Sequence, residues 1–244
     1  MITEMKFTGL LLLALTVSAQ VPSNTLNVNW LVREDLFAGL LENDRDRLKK
    51  GVATLDTVGT YYSEARVLSW RYLAEVTQAV WDYEAKDVTG FNRHYGLALT
   101  YLDRIRKVAS GNDLVLPEIF EGAVLLVLGD RLPEAMRKGA WERAYLAYAK
   151  LDQLQGDSVD KMPMHLKGES LSGLAATAYR TGREAELKQA LERIVAGMPK
   201  TPYASVAKKW MEEPESRARV KIACISCHEP NRLGNRLELS HKTK

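Results

Sequence analysis

From about residue 31 to residue 213 apolar residues recur at steps of three and four, the period of one face of an α-helix, and no alternating strand pattern competes with it. Phe91, Tyr95, Ala98, Leu102, Ile105 and Ala109 form one such stripe, and Leu187, Ala190, Leu191, Ile194 and Val195 form another. The stretch from Pro117 to Leu128 is different. Ile119, Phe120 and the run from Ala123 to Leu128 leave little room for a wet face, which predicts a helix at the centre of the fold. The periodicity breaks near Asn43-Asp44, Gly59-Thr60, Lys86-Asp87, Gly111-Asn112, Gly129-Asp130, Gly156-Asp157 and Gly182, and the segments between have ordinary helix lengths. Thr89 ahead of Gly90-Phe91, and Pro133 as a first-turn proline, predict helix starts. Met162-Pro163-Met164-His165 reads as another, with its Met side chains packed inward. Connections this short turn consecutive helices into antiparallel hairpins, and stacked hairpins bury a seam that none could bury alone. The expected fold is all-α, an array of helical hairpins over residues 31–213.

Leu174-Ala175, Tyr179, Gly182, Ala185, Ala190 and Pro199 resemble the tetratricopeptide repeat pattern of a Leu-Gly-like pair, an aromatic, a small packing residue and a closing proline. Trp70, Leu73 and Ala74, with residues 43–58 before them, look like the junction of two further units. The interval from Gly182 to Ala185 is shorter than in the family, and Leu102, Leu151 and Leu191 recur unequally rather than every ~34 residues. The resemblance therefore covers residues 38–212 as degenerate units. It implies an α-α superhelix whose surface binds a protein partner, without naming the partner.

The two ends of the chain differ from this body. Lys6, the apolar run Phe7 to Val17 and the small residues Val17-Ser18-Ala19 read as a signal peptide over residues 1–19, followed by a polar linker over 20–30. The run is short for a membrane span, and no later stretch reaches the roughly 20 apolar residues a spanning helix needs. The expectation is a periplasmic or secreted protein with no transmembrane segment after cleavage. Residues 214–244 carry seven Lys or Arg (Arg217, Arg219, Lys221, Arg232, Arg236, Lys242, Lys244) and few apolar residues, a short irregular basic tail.

Composition narrows the chemistry. The 244 residues are 46% hydrophobic, ample for a core, and a formal charge of +3 with both signs interleaved argues against nucleic acid as a partner. No Gly-rich phosphate loop, nucleophile elbow or His-Glu-x-x-His is present. Glu212-Glu213 reads as a solvated helix end among lysines, and Trp70, Trp81 and Trp141 as core, with groove lining as the alternative.

Both cysteines lie in the tail, as Cys224-Ile-Ser-Cys227-His228. A disulfide between residues three apart would close too small a loop to stabilise a fold. The arrangement resembles the heme-attachment sequence of c-type cytochromes, and that resemblance implies heme c, with Cys224 and Cys227 bound to the porphyrin and His228 as the proximal iron ligand. A zinc half-site, a redox dithiol or a local disulfide are the alternatives. The setting departs from the small globular cytochromes c, where the motif stands near the start. Only sixteen residues follow His228, so the tail cannot wrap a heme by itself. Four-helix cytochromes place the motif late but on a helix, and Pro230 opposes a helix here. A separate pocket on the tail, or a heme laid against the helical body, is the expectation. For the distal position His241 and Met211 are candidates, as is His165 with Met162 and Met164; an open or partner-supplied position is the alternative. His94, beside the core stripe, reads as structural. Arg232 or Arg236 is suited to the heme propionates.

The expected function is electron transfer with a docked partner. A non-redox interaction scaffold of the cell envelope, or a heme enzyme with an open distal side, are the competing readings.

Overall fold

The computed structural model describes residues 28–223, and among these there are nine α-helices and no strand. They are α1 (Val28–Glu42), α2 (Arg45–Val58), α3 (Glu64–Glu84), α4 (Val88–Val108), α5 (Leu116–Leu128), α6 (Glu134–Gln155), α7 (Met164–Arg180), α8 (Glu184–Gly197) and α9 (Pro202–Glu212). Four hairpins, α1-α2, α3-α4, α5-α6 and α7-α8, follow one another, and α9 closes the series against α8. The odd-numbered helices α1, α3, α5 and α7 pack side by side in chain order. The expected all-α array of helical hairpins is the observed architecture. None of the described helices is long and apolar enough to cross a membrane.

The turns show why the helices stop where they do. Three hairpins reverse through one left-handed residue each: Asn43 at φ 58°, Lys86 at φ 62° and Gly182 at φ 72°. A right-handed helix cannot continue through that conformation. New helices then start on side-chain caps, with Asp44 accepting from the Arg47 amide at 3.0 Å and Asp87 from the Gly90 amide at 2.8 Å. The cap of α4 is thus Asp87 and not Thr89, because its carboxylate, three residues ahead, is the acceptor within reach of a free amide. Pro133 stands at the cap position of α6, one residue ahead of its first turn. Pro163 precedes α7 in the same way, but Met164 is 50% exposed, so the inward packing expected of it does not occur. Leu171 and Leu174 take the buried face of that helix instead.

α5 is central, as its uniformly apolar sequence requires. It touches α3, α4, α6 and α7 and contributes to both apolar clusters. The first cluster joins α1–α5 to the start of α6, with the Trp70 ring edge-on to Phe37 (5.6 Å) and Phe120 (4.9 Å). The second joins α5 to α9. Within it the Tyr148 ring lies between the bare backbones of Gly122 on α5 and Gly173 on α7, where a side-chain carbon would overlap the ring. The three helices approach closely because those two positions lack one.

Packing does not end with α9. A short 3-10 helix, Pro214–Ala218, follows, Ser216 is buried, and Ile222 and Ala223 are 2% and 3% exposed within the second cluster. The sequence places the body's boundary after Glu213; the body extends ten residues further, because Ile222 and Ala223 supply apolar surface the basic stretch otherwise lacks. Residues 1–19, most of the linker, and Cys224, Cys227, His228, His241, Arg232 and Arg236 lie outside the described residues.

Candidate functional site

The docked segment that leads to Cys224 forms one wall of a cleft of about 260 Å³. Trp141 comes from α6, Ala176, Tyr179 and Arg180 from the last turns of α7, Trp210 from α9, and Ile222 and Ala223 from the segment itself. Leu126 and Val127 of α5 close the far side. These positions meet because α7 spans from the α6 side to the α9 side, placing its C-terminal end between two tryptophans.

Each tryptophan ring in the cleft is fixed through its Nε1. Trp141 Nε1 donates to Asp130 Oδ1 at 2.9 Å, and Trp210 Nε1 donates to the Val220 carbonyl at 2.8 Å. Tyr179 and Trp210 meet edge to face with centroids 5.5 Å apart. With their donors already engaged, the tryptophans turn only apolar ring surface toward the opening. Arg217 Nε donates to the Trp210 carbonyl at 2.9 Å, tying the 3-10 helix back to α9.

The rim of the cleft is cationic. The Arg180 guanidinium lies 4.4 Å from the Trp141 ring centroid and pairs with Asp130. Burial pushes its pKa below the ordinary arginine value. Lys221 is exposed at the same mouth. The combination is a small cleft whose tryptophans are largely covered, Trp210 at 2% and Trp141 at 9% exposure, with Arg180, Asp130 and Lys221 at its edge.

The other residues singled out from sequence are dispersed. Met211 lies on α9, 40% exposed and outside the cleft lining. His94 on α4 makes a 2.6 Å contact from Nδ1 to Glu75 Oε2 of α3, the structural role expected. Trp70 and Trp81 are core, whereas Trp141 both packs in the core and lines the cleft. Glu212 and Glu213 are exposed, with Lys209 Nζ 3.8 Å from Glu213. Among the described residues no group of three His, Cys, Asp or Glu side chains is placed to hold a metal ion.

His165 sits at the start of α7, its Nδ1 3.3 Å from the Tyr203 hydroxyl of α9. That hydroxyl donates to Glu169 Oε1 at 2.8 Å, and the Tyr203 ring packs on Gly168. Burial raises the Glu169 pKa to about 7, against the opposing effect of the tyrosine hydrogen bond. The sign follows directly. Between the unfolded value of 4.5 and about 7 the folded chain binds the extra proton, so stability falls as pH rises through that window. The full loss is about 3 kcal/mol. Glu169→Gln, which keeps an acceptor for Tyr203 but carries no charge, is expected to flatten that fall and to be the more stable protein at pH 8. Urea denaturation at pH 5, 6, 7 and 8 checks this; a constant gap between the two proteins contradicts it.

A second cleft, about 460 Å³, opens between α4 and α6 over the N-terminal half of α5. At its floor Glu121, 3% exposed, pairs with Arg106 and with Arg143 (Nε to Oε1, 2.7 Å), and Arg143 also donates to the Tyr95 hydroxyl at 3.2 Å. The carboxylate's charge is matched within the protein, so this network is a cross-helix tie and not an open ligand site.

Compared with protein-family models, with curated proteins and with solved structures, the chain matches none. The functional reading accordingly rests on its own residues. Trp210, Arg180 and the Ile222-Ala223 pair are what sequence reasoning left unassigned, and Tyr179 it read only as an aromatic of the repeat pattern. The one sequence signal for them was that apolar pair, standing in a basic stretch immediately ahead of Cys224.

Proposed function

We propose that this is an exported tetratricopeptide-like scaffold carrying one covalent c-type heme, which exchanges single electrons with a protein partner docked on its helical surface. The observation that carries the reading is the sequence Cys224-Ile-Ser-Cys227-His228 itself, which follows directly on Ile222 and Ala223, packed against the helical body. Cys224 and Cys227 would hold the porphyrin through two thioethers, each formed by adding S–H across a vinyl group, sulfur to the inner carbon and hydrogen to the outer one. Nothing is oxidised and nothing leaves. His228, the residue after Cys227, would hold the iron. Bound there, the heme supplies a reversible ferrous–ferric couple, and the electron goes to or comes from the redox group of the partner. The basic residues around the motif favour an acidic partner surface. The Phe7 to Val17 leader supports export to the periplasm or beyond, where such attachment takes place.

The test is expression with a cytochrome maturation system and the native leader, followed by heme staining after denaturing electrophoresis and by intact mass. The expected result is a stained band and the mass of one porphyrin added to the cleaved chain, both lost in Cys224→Ala/Cys227→Ala. Exported, matured protein with the mass of the polypeptide alone refutes the reading. What then remains is a non-redox interaction scaffold of the cell envelope whose cysteines bind a metal or form a local disulfide.

A further inference from the structure

We infer that the chain carries its own ligand: residues 217–223 occupy a docking surface made by α5, α7 and α9, from which a partner segment of the same chemistry displaces them. That chemistry is an arginine and, a few residues on, a lysine followed by aliphatic side chains. The inference deepens the docking half of the reading above and does not depend on the heme.

The surface is defined by what covers it. Residues 219–223 form neither helix nor strand, yet Ile222 and Ala223 are almost wholly buried. They share their cleft with Leu126 and Val127 from the end of α5, Ala176 and Tyr179 from the end of α7, and Trp210 from α9. A short irregular segment thus runs from α9 past α7 to α5, as a bound peptide lies across several helix ends.

Charge marks the other end of the site. The Arg217 side chain, 14% exposed, pairs with Glu184 at the start of α8 (3.2 Å) and donates from Nε to the Trp210 carbonyl at 2.9 Å. The Glu184 side chain is 68% exposed, a surface carboxylate that a guanidinium from another chain can reach.

The internal segment is lightly held. Among the described residues a single hydrogen bond, from Trp210 Nε1 to the Val220 carbonyl at 2.8 Å, joins residues 219–223 to the helices. The fit is also incomplete, since about 260 Å³ stays open between Ile222, Ala223 and the helix walls. A partner segment with a larger aliphatic side chain makes contacts there that the internal one lacks. Against it stands only the advantage of tethering, an effective concentration in the mM range for a short link.

The experiment uses the full-length protein, the full-length variant Ile222→Asp/Ala223→Asp, and two fluorescent peptides. One peptide has the sequence of residues 216–223, and the other has Asp at both aliphatic positions. Two carboxylates do not stay in an apolar wall, so the variant's own segment leaves the surface. Far-ultraviolet circular dichroism and thermal melting report on the helical body, and fluorescence anisotropy on binding. The variant is expected to keep its helices and to bind the first peptide with a Kd on the order of 0.1 mM or tighter, the value that keeps the tethered segment docked about nine-tenths of the time. Wild type is expected to bind that peptide roughly tenfold more weakly, and the Asp peptide is expected to bind neither protein. Three results overturn the inference: a folded variant that does not bind the first peptide, equal binding by the two proteins or of the two peptides, and loss of the α5–α9 helices in the variant, which makes the segment part of the core. Stained heme without peptide binding removes this inference alone. Peptide binding without stain keeps it while the electron-transfer reading falls.

Discussion

Trp210→Ala is expected to destabilise the C-terminal unit by about 3–5 kcal/mol, the usual cost of deleting a buried tryptophan. The ring is 2% exposed, stacks edge to face with Tyr179, and donates to the Val220 carbonyl at 2.8 Å. Its loss leaves a cavity and a carbonyl without its donor, and frees the segment carrying Ile222 and Ala223. Because stacked hairpins couple mainly to their neighbours, the damage should be concentrated at α9 and the docked segment, while α1–α4 stay folded. Thermal unfolding is expected to show a first transition roughly 10 °C below that of the native protein. Limited proteolysis should cut after α9 earlier than elsewhere. Trp210→Phe keeps most of the burial and removes only the hydrogen bond, so about 1 kcal/mol is expected from it. Equal, small losses in both variants would mean that the segment docks without the indole.

The largest asymmetry is expected at the Glu121 network. Arg143→Met should cost about 3 kcal/mol or more, and Glu121→Met clearly less. Glu121 is 3% exposed, whereas the Arg106 and Arg143 side chains are 44% and 33% exposed. Removing the carboxylate leaves two guanidinium groups that can turn toward water. Removing Arg143 leaves a carboxylate that is 3% exposed with only Arg106 beside it, and strips the donor from the Tyr95 hydroxyl. A buried charge that loses its partner is what makes such substitutions severe. The double variant Glu121→Met/Arg143→Met is expected to recover part of the loss, which urea denaturation of all four proteins in a double-mutant cycle measures. If the two single changes cost the same, burial of the carboxylate is not what sets the energetics.

Much of the body was legible in the sequence because its determinants are local. The 3.6-residue periodicity and the Asn43, Lys86 and Gly182 breaks act over a few residues, and each is where the pattern indicated. The uniformly apolar Pro117–Leu128 stretch announced its central position for the same reason: no face of it is fit for water. Met164 shows the limit. Periodicity identified a helix start there, but which way the first turn faces depends on how α7 is rotated against α8 and α9, and the methionine ended up in solvent.

The motif Cys224-Ile-Ser-Cys227-His228, the apolar run Phe7 to Val17 and the charge of the tail are properties of the amino-acid sequence alone, since each is read from contiguous residues. The cleft lined by Ile222 and Ala223 belongs to the tertiary structure. Trp141, Tyr179, Trp210 and Ile222 come from four separate segments, and nothing in their spacing says that they converge. They meet because Gly122 and Gly173 let α6 press Tyr148 between α5 and α7, and because α9 folds back so that Trp210 captures the Val220 carbonyl. Close packing of distant residues is decided by the shapes of whole helices, which a one-dimensional pattern does not carry.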